Sequence, residues 1–272
     1  MKQPARAPAT GFRQLTTPAG RDTLAGMQVA VLGLGEAGGR YAADLAAAGC
    51  TVHGYDPASA PTPAGVRRAG SAAVAVRDAQ LVLSLTGAAA AVAVAAEVAP
   101  ALPAGCCLAD LNTAAPALKR QVQEAAAGAR VADVAVLAPV PRYGLATPLL
   151  AAGPGAREAA ALLGAVGAPV AVLDAPVGAA AARKLLRSVF MKGLAASVLE
   201  ALAAGAAAGC EPWVREQIAQ ELGEALADRL VIGSHRHGAR RADEVEAATA
   251  YLAELGVPTD VCAASRAWLA RL

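Results

Sequence analysis

The chain has 272 residues, which is long enough for two domains, and its net charge of +2 at pH 7 is too small to indicate nucleic acid or an anionic membrane as the partner. Hydrophobic residues make up 56% of the chain but aromatic residues only 3%, which is typical of helices packed closely around alanine. The five cysteines form no C-x-x-C motif and their number is odd, which favours reduced thiols and a cytoplasmic location. Residues 1–26 have no sustained apolar period and no secretory core, so we expect a flexible tail without an assigned function.

A G-x-G-x-x-G motif at residues 33–38 follows a short apolar run at 27–32. A helical pattern then ends at Gly49, and a second apolar run, residues 51–55, ends in Asp56. This order predicts a strand–helix–strand unit whose glycine turn and helix N-terminus hold the pyrophosphate of a dinucleotide, against the alternative of a purely structural turn. The Asp56 carboxylate would accept hydrogen bonds from a ribose and repel a 2′-phosphate, so NAD is favoured over NADP. The candidate cofactor-binding residues here are Gly33, Leu34, Gly35, Glu36, Ala37, Gly38 and Asp56.

Strand and helix patterns alternate up to residue 177. They predict strands at 81–85, 106–108, 130–137, 149–152 and 170–173, with a helix at 114–127 capped by Asn112 or Thr113. The charge-free run 79–96 divides into a strand, a turn and a helix, so it does not predict a membrane span. We therefore expect an α/β fold with a doubly wound Rossmann-type parallel sheet as the dinucleotide-binding domain, residues 27–177.

The strands stop after Gly178, and four helical patterns follow at 179–208, 212–230, 239–255 and 261–272. They predict an all-α C-terminal domain, residues 178–272, for substrate binding and dimerisation. Its apolar faces are extensive for its size, so we expect a homodimer formed through this domain.

The first of these helices carries Lys184, Ser188 and Lys192 at four-residue spacing on one face, with Arg183 and Arg187 in the neighbouring row. Such a face either turns to water or holds an anionic ligand. The helix starts just after the last predicted strand, beside the expected nucleotide cleft, and this position favours a role in the site.

Four stretches of the chain carry a resemblance to a known family: VLGLGEAGG near the start, DLNTAAP at 110–116, DVAVLAPVP at 133–141 and KLLRSVFMKG at 184–193. HGARRADE at 237–244 is a weaker fifth. On these residues the chain resembles the β-hydroxyacid dehydrogenase superfamily, which includes 3-hydroxyisobutyrate and phosphogluconate dehydrogenases. It looks closest to a branch with a distinct C-terminal helical domain.

The resemblance implies that Lys184 exchanges a proton with the substrate oxygen during hydride transfer. Such a lysine, beside other cations and partly removed from water, gives up its proton more readily. Asn112 and Thr113 match a polar motif beside the nicotinamide, for which a helix cap is the alternative. Residues 84–87 match a loop over the adenosine ribose and pyrophosphate, for which a plain turn is the alternative. The candidate catalytic residues are Lys184, Asn112 and Ser188, and the further cofactor-binding candidates are Ser84, Leu85, Thr86, Asn112 and Thr113.

The chain departs from the superfamily where the substrate carboxylate is bound. Residues 133–138 lack the usual serine and glycines, and Arg187 and Ser188 stand where asparagine is common. Residues 234–241 predict a solvated loop, with an anion-binding contribution from its basic side chains as the alternative. Two histidines in this segment do not suffice for a metal site, and we expect none. The candidate substrate-binding residues are Arg142, Arg187, Lys192, His237 and Arg240.

Together these features predict an NAD-dependent oxidoreductase that transfers a hydride between nicotinamide and a small anionic hydroxy acid, with Lys184 as general acid and base. The alternatives are an NAD(P)H-dependent imine reductase, which shares the architecture, and a non-catalytic NAD(H)-binding sensor or scaffold.

Overall fold

The computed structural model describes residues 26–272, so the predicted tail lies outside the described part except for its last residue. The chain forms two compact units, of which the first ends at Ala180 and the second comprises Ala181–Leu272. This division falls just after residue 177, where we predicted the domain boundary. The functions that we attached to the two domains stay predictions.

The first unit alternates strands and helices around one sheet. Its strands are β1 (Gln28–Leu32), β2 (Thr51–Tyr55), β3 (Val66–Arg68), β4 (Leu81–Ser84), β5 (Cys107–Asp110), β6 (Arg130–Val136), β7 (Leu149–Ala152) and β8 (Val170–Val172). The helices between them are α1 (Glu36–Ala47), α2 (Ala72–Val76), α3 (Ala88–Val98), α4 (Pro116–Ala125), α5 (Val140–Tyr143) and α6 (Ala156–Ala165). The strand order is β3-β2-β1-β4-β5-β6-β7-β8. The order reverses between β1 and β4, and such a reversal opens a crevice at the carboxyl ends of these strands.

Both faces of the sheet are covered, which explains why its strands read as continuous apolar runs. Val29 and Val31 of β1 belong to one core layer together with Tyr41 and Leu45 of α1. The intervening residues of β1 belong to a second layer that includes residues of α2 and α3. The structure therefore confirms the expected Rossmann-type α/β class with helices on both sides of the sheet.

The sheet is not parallel throughout. β7 pairs antiparallel with β6, and β8 pairs parallel with β7, so the last two strands run opposite to the others. The expectation of an entirely parallel sheet is wrong at this edge. The connection from β6 to β7 contains only the four-residue helix α5 and a short 3-10 turn, Gly144–Ala146, so it has no helix long enough to cover a parallel crossover.

The predicted cap of α4 is also wrong. The helix begins at Pro116 with Ala115 at its N-cap, and no side chain caps it. Proline suits the first turn because its missing N–H would have no partner within the helix. The Asn112 side chain instead bonds to other loops.

The second unit is helical, as we expected. It comprises α7 (Ala179–Ala207), whose first two residues belong to the first unit, α8 (Glu211–Leu222), α9 (Glu224–Glu254) and α10 (Asp260–Leu269). α8 ends at Gly223 (φ +76°), so the predicted helix 212–230 is interrupted there, and α9 begins at Glu224. α9 consists of two helices joined across a kink at His237, which lies in the predicted break between residues 230 and 239.

Residues 234–241, predicted as a loop, are helical on both sides of a kink at His237, where the backbone is non-helical (φ −137°). Two glycines near the kink pack closely against other residues. A Cβ at Gly233 would lie 2.5 Å from Nη2 of Arg241, and one at Gly238 would lie 2.9 Å from the Leu269 carbonyl oxygen. Close packing near the bend therefore requires Gly238, which faces backbone, whereas at Gly233 the flexible Arg241 side chain could move away.

By length and composition α7 could span a membrane, and it is the only such helix among residues 26–272. Its second half carries buried side chains of the helical unit's own core, among them Ala195, Val198, Leu199 and Leu202. Its first half carries Arg183, Lys184 and Arg187. This distribution is that of a core helix, so we interpret α7 as one.

Candidate functional site

The glycine turn between β1 and α1 is built for close approach of backbone atoms. Gly33 adopts φ +90°, and a Cβ there would lie 2.5 Å from the Leu85 carbonyl oxygen. A Cβ at Gly38 would overlap the Gly33 carbonyl oxygen, whereas one at Gly35 would meet no atom within 4 Å. Gly35 is the N-cap of α1 and offers no capping side chain. The turn therefore leaves open space at the helix N-terminus, where an anion is favoured.

Asp56 lies beside this turn, as we predicted from the order of elements. Its Oδ2 accepts a hydrogen bond from the Leu34 N–H at 2.7 Å, and its Oδ1 accepts one from the Ala58 N–H at 2.9 Å. The carboxylate thus ties the glycine turn to the loop after β2. Each oxygen retains a lone pair, so the group can still accept a hydrogen bond from a ribose hydroxyl.

Arg68 of β3 orders the loop after β2, a role that the sequence did not suggest. Its Nη2 donates to the carbonyl oxygens of Asp56 (2.7 Å) and Ala58 (2.6 Å), and its Nη1 donates to that of Ala60 (2.6 Å). Because these donors are engaged, Arg68 would have to leave three carbonyl groups in order to bind a 2′-phosphate.

A second loop, residues 84–87, meets the glycine turn at the end of β4. The Leu85 carbonyl is the group that a Cβ at Gly33 would strike. Asn112, at the end of β5, accepts a hydrogen bond from the Gly87 N–H through Oδ1 at 2.7 Å and donates from Nδ2 to Ser84 Oγ at 3.2 Å. The hydroxyl of Thr86 is buried and, within the described part of the chain, has no hydrogen-bond partner. The structure thus brings the predicted residues of both loops together.

In the second unit, three of the predicted basic residues surround Glu244 of α9. Lys192 Nζ lies 2.5 Å from Glu244 Oε2, and Arg240 Nε lies 4.0 Å from Oε1. Burial would raise the pKa of the Glu244 carboxyl. The charges of Lys192, Lys184 and Arg240 outweigh burial, so that pKa lies below its ordinary value and Glu244 is a carboxylate at neutral pH.

The predicted face of α7 is therefore not simply solvated. Ser188 is buried and Lys184 and Lys192 are half-buried, whereas Arg187 is exposed. An internal carboxylate meets part of the positive charge, an arrangement that neither of our two alternatives contained. Glu244 ends the weakest of the five stretches, and its four-residue spacing from Arg240 was the one signal that could have identified it.

The remaining candidates differ in their exposure to solvent. Arg142 of α5 is exposed, and its guanidinium lies over the Tyr143 ring at 5.2 Å. Thr113 is exposed, and His237 is half-buried at the bend of α9. Between residues 26 and 272 no group of three or more His, Cys, Asp and Glu side chains could hold a metal ion.

Two family models match the chain. Residues 28–140 match the NAD binding domain of 6-phosphogluconate dehydrogenase, and residues 206–272 match a domain of unknown function, DUF1932. The first match includes the glycine turn, Asp56 and Asn112. The second covers most of the helical unit. A search of the curated proteins found no match.

Solved structures match nearly the whole chain. A conserved hypothetical protein from Sinorhizobium meliloti 1021 is 29% identical, with 89% of this chain and 87% of that chain covered and a TM-score of 0.70. A 3-hydroxyisobutyrate dehydrogenase from Mycobacterium tuberculosis is 20% identical, with 89% and 92% covered and a TM-score of 0.76. The two family models and these matching folds support the resemblance of the chain to the β-hydroxyacid dehydrogenase superfamily.

Other structures with the superfamily's fold act on different bonds. An imine reductase variant from Myxococcus stipitatus, solved with NAD+, is 20% identical, with 90% and 93% covered and a TM-score of 0.64. Further matching structures hold NADPH. The match to an NAD binding domain and the folds of these oxidoreductases thus support an NAD(P)-dependent oxidoreductase. They do not distinguish NAD from NADP, and they do not identify the substrate.

Proposed function

We propose that the protein is an NAD-dependent dehydrogenase or reductase that acts on a small anionic hydroxy acid or its carbonyl product, with Lys184 as the general acid and base. The observation that supports it most directly is the meeting of two loops at the end of the sheet. The open glycine turn, the Asp56 carboxylate and the loop held by Asn112 offer the donors and acceptors that a dinucleotide requires.

These residues fit the cofactor. The N–H groups at the start of α1 would hold the pyrophosphate, and the space at Gly35 allows its close approach. Asp56 would accept hydrogen bonds from the ribose hydroxyls, and the Thr86 hydroxyl has hydrogen-bonding capacity to offer. When bound, the nicotinamide supplies the hydride acceptor or donor. NAD is favoured because Asp56 would repel a 2′-phosphate while Arg68 is engaged by loop carbonyls.

The residues of the helical unit would act on the substrate. In the oxidative direction Lys184 removes the proton from the substrate's hydroxyl oxygen, and in the reductive direction it returns the proton to the carbonyl oxygen. Lys184 and Lys192 lie at eight-residue spacing on α7, and both act electrostatically on Glu244 together with Arg240. Basic side chains of this kind suit a substrate that carries a carboxylate or a phosphate.

The first test is a pair of fluorescence titrations of the purified protein with NADH and NADPH. We expect NADH to bind more tightly. Asp56→Asn should weaken NADH binding by about tenfold, because a neutral amide accepts hydrogen bonds from the ribose less strongly than a carboxylate, and it should improve NADPH binding. Asp78→Asn, an exposed aspartate of the same unit, is the control. Binding of neither nucleotide by the wild-type protein would refute the proposal.

The second test addresses Lys184. With NAD+ and a panel of 2- and 3-hydroxy acids, Lys184→Ala should lower kcat by about a hundredfold or more and leave the Kd for NADH unchanged, because the lysine acts on the proton. Arg236→Ala, which changes an exposed cation of the same unit, should leave both values unaltered. Wild-type turnover by Lys184→Ala would refute the role of Lys184 as the general acid and base.

Imine reduction is the second candidate, because an imine reductase shares the fold. Assays with a cyclic imine and NADPH or NADH separate the two. Turnover of the imine without turnover of any hydroxy acid would replace our proposal with this one. Nucleotide binding without any turnover would favour a sensor.

A further inference from the structure

Three charged side chains of the first unit are sealed from solvent where the end of β5 and the middle of β6 meet α4. They are Asp110, Lys119 and Asp133, which are exposed by 1%, 1% and 0%, and we call them the buried ion cluster. Lys119 Nζ lies 3.0 Å from Asp110 Oδ2 and 3.5 Å from Asp133 Oδ1, and it donates to the Asp110 carbonyl oxygen at 2.8 Å. One ammonium group with three donors thus faces three acceptors.

Such a cluster is an unfavourable way to fill a core. Asp110 and Asp133 are register partners on adjacent strands, and like charges in this position repel each other. Removing three charges from water costs more than packing apolar side chains of similar volume. The Lys119 ammonium relieves the repulsion, and both carboxylates have further hydrogen bonds that point to a role beyond packing.

The Asp110 carboxylate orients Asn112. Its Oδ1 accepts hydrogen bonds from the Asn112 backbone N–H at 3.0 Å and from Nδ2 at 2.6 Å. The amide cannot be flipped, because a flip would place its NH2 group against the Gly87 N–H and its oxygen against a carboxylate. Asn112 is thereby held with its oxygen on the loop 84–87.

The Asp133 carboxylate caps α7. Its Oδ2 accepts hydrogen bonds from the N–H groups of Gly178 at 3.0 Å and Ala180 at 3.1 Å. The helix has no Ser, Thr, Asn or Asp of its own at this end, since residues 176–180 read PVGAA. A strand residue 45 positions earlier in the chain therefore supplies the acceptor that a local side chain would supply in most helices.

We propose that Lys119 is a positioning residue whose buried charge fixes two segments of the first unit, the loop 84–87 and the N-terminus of α7. Through Asp110 and Asn112 it holds the loop 84–87, and through Asp133 it holds the first turn of α7, the helix that continues to Lys184. The functional meaning rests on our proposed function, in which that loop contacts the cofactor and Lys184 moves the proton.

Hydrogen–deuterium exchange of the full-length protein without cofactor tests the two arms separately. Asp133→Ala should speed exchange at residues 178–182 by about tenfold, the factor expected for loss of a hydrogen bond to a charged group, and should leave the loop 84–87 unchanged. Asp110→Asn should speed exchange in the loop 84–87 and leave residues 178–182 unchanged, because an amide cannot accept hydrogen bonds from both Asn112 and Lys119 as a carboxylate does. Lys119→Met should speed exchange in both segments. The control Arg120→Met removes the neighbouring exposed cation and should alter neither.

Two further measurements distinguish a positioning role of the buried ion cluster from a contribution to the stability of the whole fold. Asp133→Asn retains an acceptor oxygen and should restore most of the protection at residues 178–182 that Asp133→Ala loses. NADH titration should show about a tenfold higher Kd for Asp110→Asn, because the loop is released, and an unchanged Kd for Asp133→Ala. Uniformly faster exchange across β1–β6 in Asp110→Asn and Asp133→Ala would overturn the proposal. Unchanged exchange at residues 84–87 and 178–182 in these two variants would also overturn it. Neither result depends on whether Lys119→Met folds. If wild-type protein fails to bind NADH while the exchange pattern holds, the proposed function fails and the positioning role stands.

Discussion

Glu244 decides the electrostatics of the basic cluster in the helical unit. Its carboxylate lies within reach of the positive charges of Lys192, Lys184 and Arg240, and these charges lower its pKa. The Glu244 carboxylate also forms an ion pair with Lys192, whose Nζ lies 2.5 Å from Glu244 Oε2. We therefore expect this residue to contribute to the stability of the helical unit.

Replacing this carboxylate should have a pH-dependent effect on stability. The pKa of Glu244 lies below its ordinary value of 4.5 because the basic neighbours outweigh burial, so its stabilising effect is complete above that pH and is lost as the pH falls through the lowered pKa. We expect Glu244→Gln to lower the free energy of unfolding by about 2 kcal/mol at pH 7, measured by urea denaturation. The difference in the free energy of unfolding between Glu244→Gln and the wild-type protein should disappear as the pH falls through the lowered pKa of Glu244.

The matched control is Glu246→Gln on the same helix. Glu246 pairs with Arg266 at 3.4 Å, and both side chains are more than half exposed, so its removal should change stability by less than about 0.5 kcal/mol. An equal loss in both variants, or a gap for Glu244→Gln that persists in acid, would contradict the assignment of the Glu244 carboxylate as a charge-paired group.

At the level of elements, two glycines of the motif at residues 33–38 have different roles where α1 packs on β1. At Gly38 the helix approaches so closely that any side chain would overlap the Gly33 carbonyl oxygen. At Gly35 nothing lies within 4 Å of the added atom. The first glycine allows the elements to pack, whereas the second keeps the helix N-terminus accessible.

Alanine at each position should therefore give different results. Gly38→Ala should lower the free energy of unfolding by about 3 kcal/mol and weaken NADH binding, because α1 must shift away from the turn. Gly35→Ala should leave stability nearly unchanged and still weaken NADH binding, because its methyl group occupies the space open to the pyrophosphate. Thermal unfolding and NADH titration of both variants check this. An NADH affinity of Gly35→Ala equal to that of the wild-type protein would contradict the proposed position of the pyrophosphate at Gly35.

At the level of the whole molecule, the helical unit exposes apolar side chains that its own helices do not cover. Phe190, Trp213, Ile232 and Val261 are exposed by 66%, 62%, 64% and 61%. Exposed apolar side chains of this size on a small helical unit favour association with a second copy. We therefore propose a homodimer formed through the helical unit.

Light scattering after size-exclusion chromatography tests this proposal. Wild-type protein should elute with twice the mass of the chain, and Phe190→Glu or Ile232→Glu should shift it toward the monomer by placing a charge in the interface. Val74→Glu, which changes an exposed apolar residue of the first unit, should leave the mass unaltered. A monomeric wild-type protein at micromolar concentration would refute the homodimer.

Local patterns in the sequence determined much of this protein. The bounds of β2 and β7, the glycine turn with Asp56 and the all-helical second unit follow from periodicity and turn chemistry, which depend on neighbours within one element. Only the tertiary structure decided the reversed direction of β7, the helical segments on both sides of the kink at His237 and the partners of Asn112, Lys119 and Glu244. Those features depend on atoms that are distant in the chain, such as Asp133 at the N-terminus of α7. No local pattern reports such contacts, because they exist only once the sheet and the helices have packed.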